Sequence, residues 1–267
     1  MFNANTKEIL SLLFAVKYTH TKYDTYDYSN NPRPCHNFVF MLEGEGVIIT
    51  QDKRIPLRAG DILFIPKNTT YISHWLAQPK VVFHSLHFSF QPKTDPLLHH
   101  NIPIQLLPNG QFDALYALLK NIERYQFSKD IHSFLALSAF YELCGKLLCA
   151  ITLLPARQMN KTILPALQYI ERHYRSQISV ESLASLCFIS PSRFYYLFKQ
   201  QTGVSPIVYK NQVAIQRAVQ ELLSNKEESI ANIAKRHGFA SLIYFERLFK
   251  KMMGKSPSLY RKENALL

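Results

Sequence analysis

Near the C-terminal end of the chain, residues able to touch a base edge or a phosphate recur at helical spacing in two places. Ser192, Arg193, Tyr195, Tyr196 and Lys199 form one set; Ile243, Glu246, Arg247 and Lys250 form the other. Tyr195 and Tyr196 each offer a ring edge and one hydroxyl, which suits thymine methyls and single hydrogen bonds. Arg247 can bind a guanine or a phosphate, Glu246 can accept from a cytosine amine while repelling phosphate, and Lys199 suits phosphate. Each set lies opposite an apolar stripe, Phe194, Leu197 and Phe198 in the first and Phe245, Leu248 and Phe249 in the second. The i, i+3, i+4 spacing of those stripes is that of an amphipathic helix. The plainer readings are tyrosines covering a core edge and a Glu246 to Lys250 link one helical turn apart.

A second group of candidates lies upstream: Arg33, His36, Tyr71 and His84. A metal centre needs several imidazole or carboxylate ligands converging on one point. His84 and His87 are three apart on one strand, hence on opposite faces, and His36 stands alone on its strand. An apolar pocket with a few polar groups suits these residues better than a metal site. Alternation puts His84 on one face with Val82, Leu86 and Phe88, expected to point inward. Arg33, just before Pro34, is placed to swing over the pocket mouth. No set of residues has the spacing of a catalytic centre, and no cofactor is expected. Cys35, Cys144, Cys149 and Cys187 show no CxxC or Cys/His spacing and read as small buried hydrophobes of a reducing compartment.

Both helical sets belong to a repeat. Phe194, Leu197, Phe198, Lys199, Gly203, Ser205, Pro206 and Tyr209 recur as Phe245, Leu248, Phe249, Lys250, Gly254, Ser256, Pro257 and Tyr260, each displaced by 51. Upstream of each copy runs a second short amphipathic stretch, Val180, Leu183, Ala184 and then Ile230, Ile233, Ala234. Ser179 and Ser229 are placed to cap the leading helices, and Ser190 before Pro191 caps a trailing one. Gly203 and Gly254 are expected to close the trailing helices in left-handed conformations. Helix, tight turn, helix with a polar basic outer face is the helix-turn-helix layout. A joining helix from about Pro206 to Ser224 spans roughly 27 Å, close to the ~34 Å between successive major-groove faces.

The motif Leu-Phe-Lys-x-x-x-Gly-x-Ser-Pro-x-x-Tyr in both copies, with Ile-Ala-x-x-x-Gly-Phe at 233–239, resembles the AraC/XylS family of transcription regulators. The resemblance covers roughly residues 163–262. It implies double-stranded DNA as partner and base or phosphate contacts by the two residue sets above. One departure is Phe188, where the family often has glycine; a bulky residue at positive φ is costly, so that turn is expected to be reshaped or the first reading helix re-aimed.

Of the net charge of +12, residues 161–267 carry +9, from 16 Lys and Arg against 7 Asp and Glu. The charge excess sits with the repeat, as phosphate binding requires. Residues 1–96 show strand signals: a hairpin through 44–46, then strands at 62–66, 71–75 and 81–90. The Gly60-Asp61, four apolar residues, Pro66 segment after Leu42-Glu-Gly-Glu-Gly46 resembles the cupin-like effector domain found ahead of the DNA-binding half in many such regulators. From residue 111 the period becomes helical. Residues 133–154 are long and apolar enough to suggest a membrane span, but Glu142 and Lys146 argue for a packing helix. In proteins of this layout such helices commonly make a dimer interface. The N-terminus has no signal-peptide pattern, so a soluble, cytoplasmic protein is expected.

The fold class expected is α+β in two domains: an N-terminal antiparallel β-barrel or jelly roll followed by helices, then an all-α domain with two helix-turn-helix units. The boundaries are 1–96 for the barrel, 97–160 for helices and a linker at 154–160, and 161–267 for DNA binding, with the units at about 179–203 and 229–254. The expected function is sequence-specific transcription regulation, as an activator answering a small-molecule effector, a sugar among the candidates, and not an enzyme. RNA polymerase and a second copy of the chain are expected partners, and a membrane is not. A metal-dependent cupin-type enzyme with an accessory basic domain is the competing reading; a regulator sensing no small molecule is the third.

Overall fold

The computed structural model describes residues 10–264 other than 31, 92–94, 98, 99, 129, 155–160 and 254. The N-terminal residues 1–9, most of the linker expected at 154–160 and the C-cap expected at Gly254 therefore lie outside the described residues. The strands, in chain order, are β1 (Leu10–His20), β2 (Asp24–Asp27), β3 (His36–Glu43), β4 (Glu45–Ile49), β5 (Arg54–Arg58), β6 (Ile62–Ile65), β7 (Ile72–Leu76), β8 (Val81–Phe90) and β9 (Gln105–Leu107). They form two antiparallel sheets, ordered β1-β8-β3-β6-β9 and β2-β7-β4-β5. Between the sheets sits a core of Val39, Met41, Ile48, Leu57, Leu63, Trp75 and Phe83. The jelly-roll class read from the sequence is what the chain adopts.

The hairpin expected through 44–46 is not formed. β3 pairs with β6 and β8, whereas β4 pairs with β5 and β7. Gly44, at φ +79°, turns the chain from one sheet into the other, and a Cβ there would come within 2.5 Å of the Lys80 carbonyl oxygen. A sheet-crossing corner and a hairpin leave the same local signature, a glycine between two alternating runs; only the distant partners tell them apart.

The five-stranded sheet is buried on both faces. Its outer face, with Phe38, Phe40, Phe64, Leu86 and Phe88, packs against α1 (Phe112–Tyr125) and α2 (Ser133–Leu148) through Leu115, Leu119, Ile122, Phe140, Leu143 and Leu147. Gln126, just past α1, pairs with the backbone of the edge strand β1: Ala15 N–H donates to its Oε1, and its Nε2 donates to the Ala15 carbonyl (3.2 Å). That satisfies part of an otherwise open edge. α2 still exposes Phe134, Leu135 and Tyr141. Among the described residues no helix is long and apolar enough to cross a membrane. Cys35, Cys144 and Cys187 are buried as expected, while Cys149 is exposed.

The C-terminal part is helical: α3 (Leu164–His173), α4 (Val180–Leu186), α5 (Pro191–Thr202), α6 (Pro206–Ser224), α7 (Ile230–Arg236), α8 (Leu242–Met253) and α9 (Pro257–Asn264). α6 is the joining helix, and its buried Val213, Ile215, Ala218, Val219 and Leu222 form the spine of the core. That core also takes in Leu12, Phe14 and Val16 from β1 and Cys35 from just before β3. Gln212 Nε2 donates to the Pro32 carbonyl (2.7 Å) and Gln220 Nε2 to the Leu13 carbonyl (3.3 Å). The helical part is thus docked on the sheets through both apolar contact and hydrogen bonds.

Candidate nucleic-acid interface and effector cavity

α4 with α5, and α7 with α8, are the two helix-turn-helix units. Ser179 caps α4 by accepting from Ser182 N–H, Ser190 caps α5 by accepting from Arg193 N–H, and Ser229 caps α7 by accepting from Asn232 N–H. Each supplies an acceptor for a backbone donor that the helix start leaves open. Gly203 closes α5 at φ 78°. Phe194, Leu197, Phe198, Phe245 and Phe249 are buried, and Leu248 is half-buried. Ser192, Arg193, Tyr195, Tyr196 and Lys199 are all exposed on the far side of α5, as are Ile243, Glu246, Arg247 and Lys250 on α8. Arg193 lies over the Tyr196 ring (5.8 Å) and Arg247 over the Tyr244 ring (5.5 Å). Among the described residues no ion pair joins Glu246 to Lys250. Tyr244 is the residue that sequence reasoning missed here; it is exposed, its hydroxyl accepts from Asn211 Nδ2 of α6 (3.0 Å), and it holds the repeat position of Arg193.

The two turns differ. The leading helices correspond at a displacement of 50 and the trailing ones at 51, so the second turn holds one more residue. Phe188 N–H donates to the Ser185 carbonyl and Gly238 N–H to the Lys235 carbonyl, which makes these two residues equivalent. Phe188 does adopt φ 54°, and its side chain is 95 % exposed. The turn is therefore not reshaped; the bulky residue takes the left-handed conformation and points into solvent. Gly238, at φ 83°, has no such freedom, because a Cβ there would stand 2.6 Å from the Arg175 carbonyl oxygen.

Between the two sheets lies a cavity lined by Tyr18, Tyr26, Tyr28, Arg33, Tyr71, Trp75 and Phe83, with Met253 and Lys255 reaching in from the helical part. Of the four expected lining residues it brings together Arg33 and Tyr71. His84 faces the opposite way: its Nε2 is 3.0 Å from Glu123 Oε1 of α1 and its Nδ1 is 3.4 Å from the Tyr116 hydroxyl. Every residue of β8 is buried, so alternation separated its two faces correctly but carried no sign of which one looks between the sheets. His36 also lies outside the cavity, stacked on Phe64 and Phe88. Its Nδ1 accepts from Lys67 N–H (3.3 Å), and Asp95 stands 3.9 Å from its Nε2. Burial pushes the His36 pKa down, against the pull of Asp95. The Asp95 carboxyl is raised by burial yet held well below the usual range by Lys67, with which it pairs, and by His36. The other cavity tyrosines, Tyr18, Tyr26 and Tyr28, were missed because aromatic residues in or beside strands read first as core.

A helix-turn-helix domain family model matches residues 183–263. The MmsAB operon regulatory protein of Pseudomonas aeruginosa is 29 % identical over 245 residues, which cover 85 % of this chain and 75 % of that one. The arabinose operon regulatory protein of Escherichia coli is 27 % identical over 248 residues, covering 82 % and 78 %. In both comparisons the likeness runs through the sheets as well as the repeat. Over most of its length the chain is similar to AraC-type transcription regulators. Among solved structures, ToxT from Vibrio cholerae O395 bound to (E)-4-(8-methylnaphthalen-1-yl)but-3-enoic acid has the same two-part fold, with TM-score 0.67 and 16 % identity, covering 94 % of this chain and 98 % of that one. With a matched helix-turn-helix domain and operon regulators similar along most of its length, this chain is a sequence-specific DNA-binding regulator of transcription.

In this regulator the cavity wall and the second reading helix are close neighbours. The Tyr18 hydroxyl is hydrogen-bonded to the Tyr260 hydroxyl (2.9 Å), and the Tyr260 ring meets Phe249 of α8 edge-on at 5.6 Å. The second unit is also tied to α6 through His237, whose Nε2 is 2.7 Å from Glu221 Oε2 and whose Nδ1 is 3.2 Å from the Tyr174 hydroxyl. Arg236 bridges Glu221 and Glu228. Burial pushes the His237 pKa down, partly offset by Glu221.

Proposed function

We propose that this regulator answers a small-molecule effector held between its two sheets, and that the effector acts on the second reading helix through Tyr18 and Tyr260. The observation that carries the reading is that one side chain, Tyr18, both lines the cavity and bonds to the residue packed under α8. A ligand that binds one arrangement of that contact more tightly than another shifts the population of the reading helices. Base and phosphate contacts fall to Ser192, Arg193, Tyr195, Tyr196 and Lys199 of α5 and to Ile243, Glu246, Arg247 and Lys250 of α8, within a DNA-binding part at 161–267. The exposed Phe134, Leu135 and Tyr141 of α2 suit a homodimer interface, which raises the effective concentration of the second DNA-binding part. Such a protein works in the cytoplasm as an activator in contact with RNA polymerase and carries out no catalysis. Relatives named for the metabolic operons they regulate, and a neighbour of the same fold bound to a small organic molecule, support this reading.

The test uses the full chain on its own binding sites, footprinted with and without cell-extract metabolites. Effector-dependent occupancy is expected, and Tyr18→Phe, which keeps the ring and removes one hydrogen bond of about 1 kcal/mol, is expected to alter that dependence. Tyr209→Phe, the same change in the first unit, is expected to leave it intact. Occupancy that no metabolite alters, or equal behaviour of the two variants, rejects the effector route.

A further inference from the structure

Arg33 is an unusual resident for the space between two sheets. Its Nη2 donates to the Tyr28 hydroxyl, and its guanidinium lies 4.8 Å from the centre of the Tyr28 ring. The Tyr18 hydroxyl also interacts with it. Its Nε and Nη1 are shielded from solvent and have no hydrogen-bond partner. A guanidinium keeps its proton at any accessible pH, so the cation cannot be discharged to lower the cost of its burial. Among the described residues lining the cavity there is no Asp or Glu; besides Arg33 the basic groups are His20, paired with Asp24, which is not itself in the lining, and Lys255, carried in from the turn between α8 and α9. Opposite stands a flat wall, with Trp75 and Phe83 stacked at 4.1 Å and Tyr18 and Phe83 at 5.1 Å. A buried cation with idle donors, no internal counter-charge and an aromatic wall is incomplete without an anion.

We infer that the effector of this regulator is a carboxylate on a flat apolar body, its carboxyl on Arg33 and its body against Trp75 and Phe83, rather than a neutral sugar. On the edge that the Tyr28 bond leaves open, a carboxylate can pair the idle donor there, Nε or Nη1, with the second Nη2 hydrogen, the two-point recognition that arginine favours. The inference rests on the effector reading above and names the chemistry of that same site.

Thermal shift and calorimetry on the full chain decide it, with four probes: phenylacetate, its uncharged isostere phenylacetamide, inorganic phosphate and L-arabinose. A ligand that binds the folded state alone raises the midpoint with concentration. Phenylacetate is expected to stabilise the wild type and phenylacetamide not to, and Arg33→Gln is expected to weaken phenylacetate binding by roughly tenfold or more, as loss of a charged hydrogen bond does. Arg33→Lys, which keeps the charge and loses the fork, serves if Arg33→Gln fails to fold, and is expected to weaken binding less. Phosphate binding without phenylacetate binding overturns the carboxylate assignment. Arabinose binding equally to wild type and Arg33→Gln overturns the anion and leaves the effector reading standing. Stabilisation by none of the four also overturns the inference. Phenylacetate bound through Arg33 with no effect on DNA occupancy upholds the anion site and counts against the effector reading alone.

Discussion

The two helix-turn-helix units share a skeleton and differ in what their tyrosines hold. Tyr209 and Tyr260 are equivalent in the repeat, and each meets its reading helix edge-on at 5.6 Å, against Phe198 and Phe249. The Tyr209 hydroxyl donates to Glu171 Oε1 inside the helical part (3.2 Å), whereas the Tyr260 hydroxyl reaches Tyr18 in the sheets (2.9 Å). Their turns differ too, with Phe188 free to face solvent and Gly238 pressed against Arg175. Duplicated packing thus preserved the ring positions, because a buried aromatic cannot be moved without leaving a void. The hydroxyls and turn residues, which touch neighbours outside the unit, were free to diverge.

The sharpest way to break this contrast is at the turns. Gly238→Ala adds a Cβ against backbone at positive φ and is expected to cost roughly 2–4 kcal/mol. Phe188→Gly is expected to stabilise slightly, by up to about 1 kcal/mol, since it relieves a left-handed side chain at no loss of contact. Denaturant melts of the two variants compare them; equal effects would mean that the turns are equivalent after all.

On DNA the contrast is between readout and anchoring. Tyr196→Ala is expected to reduce discrimination at one base position by about 1–2 kcal/mol, while Lys199→Ala weakens all sequences alike and lowers the salt slope by about 1. Competition binding across salt concentrations separates them, and a uniform loss from Tyr196→Ala removes that residue from base readout.

The smallest expected effect is on acid stability. His237 sits at the end of α7, where the first unit has Cys187 after α4. Its pKa is depressed in the fold by burial, so the unfolded chain takes up the proton more readily, and stability falls as pH drops below about 6.5. His36 and His87 are depressed by burial as well and act in the same direction. Replacing His237 by Gln is expected to flatten the fall in Tm between about pH 7 and pH 5 without abolishing it. A slope unchanged by the substitution would show that the second unit contributes nothing to the acid response.

Much of the helical part was legible because its signals are local. A serine cap, a glycine C-cap and an i, i+3, i+4 stripe each depend on residues within a turn or two, so Ser190, Gly203 and the 206–224 helix could be placed from the sequence alone. The strands at 62–65 and 81–90 were legible for the same reason. What lay beyond local reach was partnership. Gly44 marked a turn, but whether it closed a hairpin or crossed between sheets depended on β6, β7 and β8, far along the chain. His84 and Phe83 alternate as any strand does, and packing on both faces of the sheet erased the polar side that would have told inside from outside. Arg33 was singled out as a cation near a pocket mouth, yet its enclosure by Tyr18, Tyr28 and Tyr71 joins β1 and the loops before β3 and β7. The hydrogen bond from Tyr18 to Tyr260 spans 242 residues of sequence. By itself the sequence determined the helix-turn-helix units and their outward faces, since helix formation and capping are settled within a few residues. The cavity, its buried guanidinium and its contact with the second reading helix were decided only when distant strands and helices closed on one another, because those properties belong to no single segment of the chain.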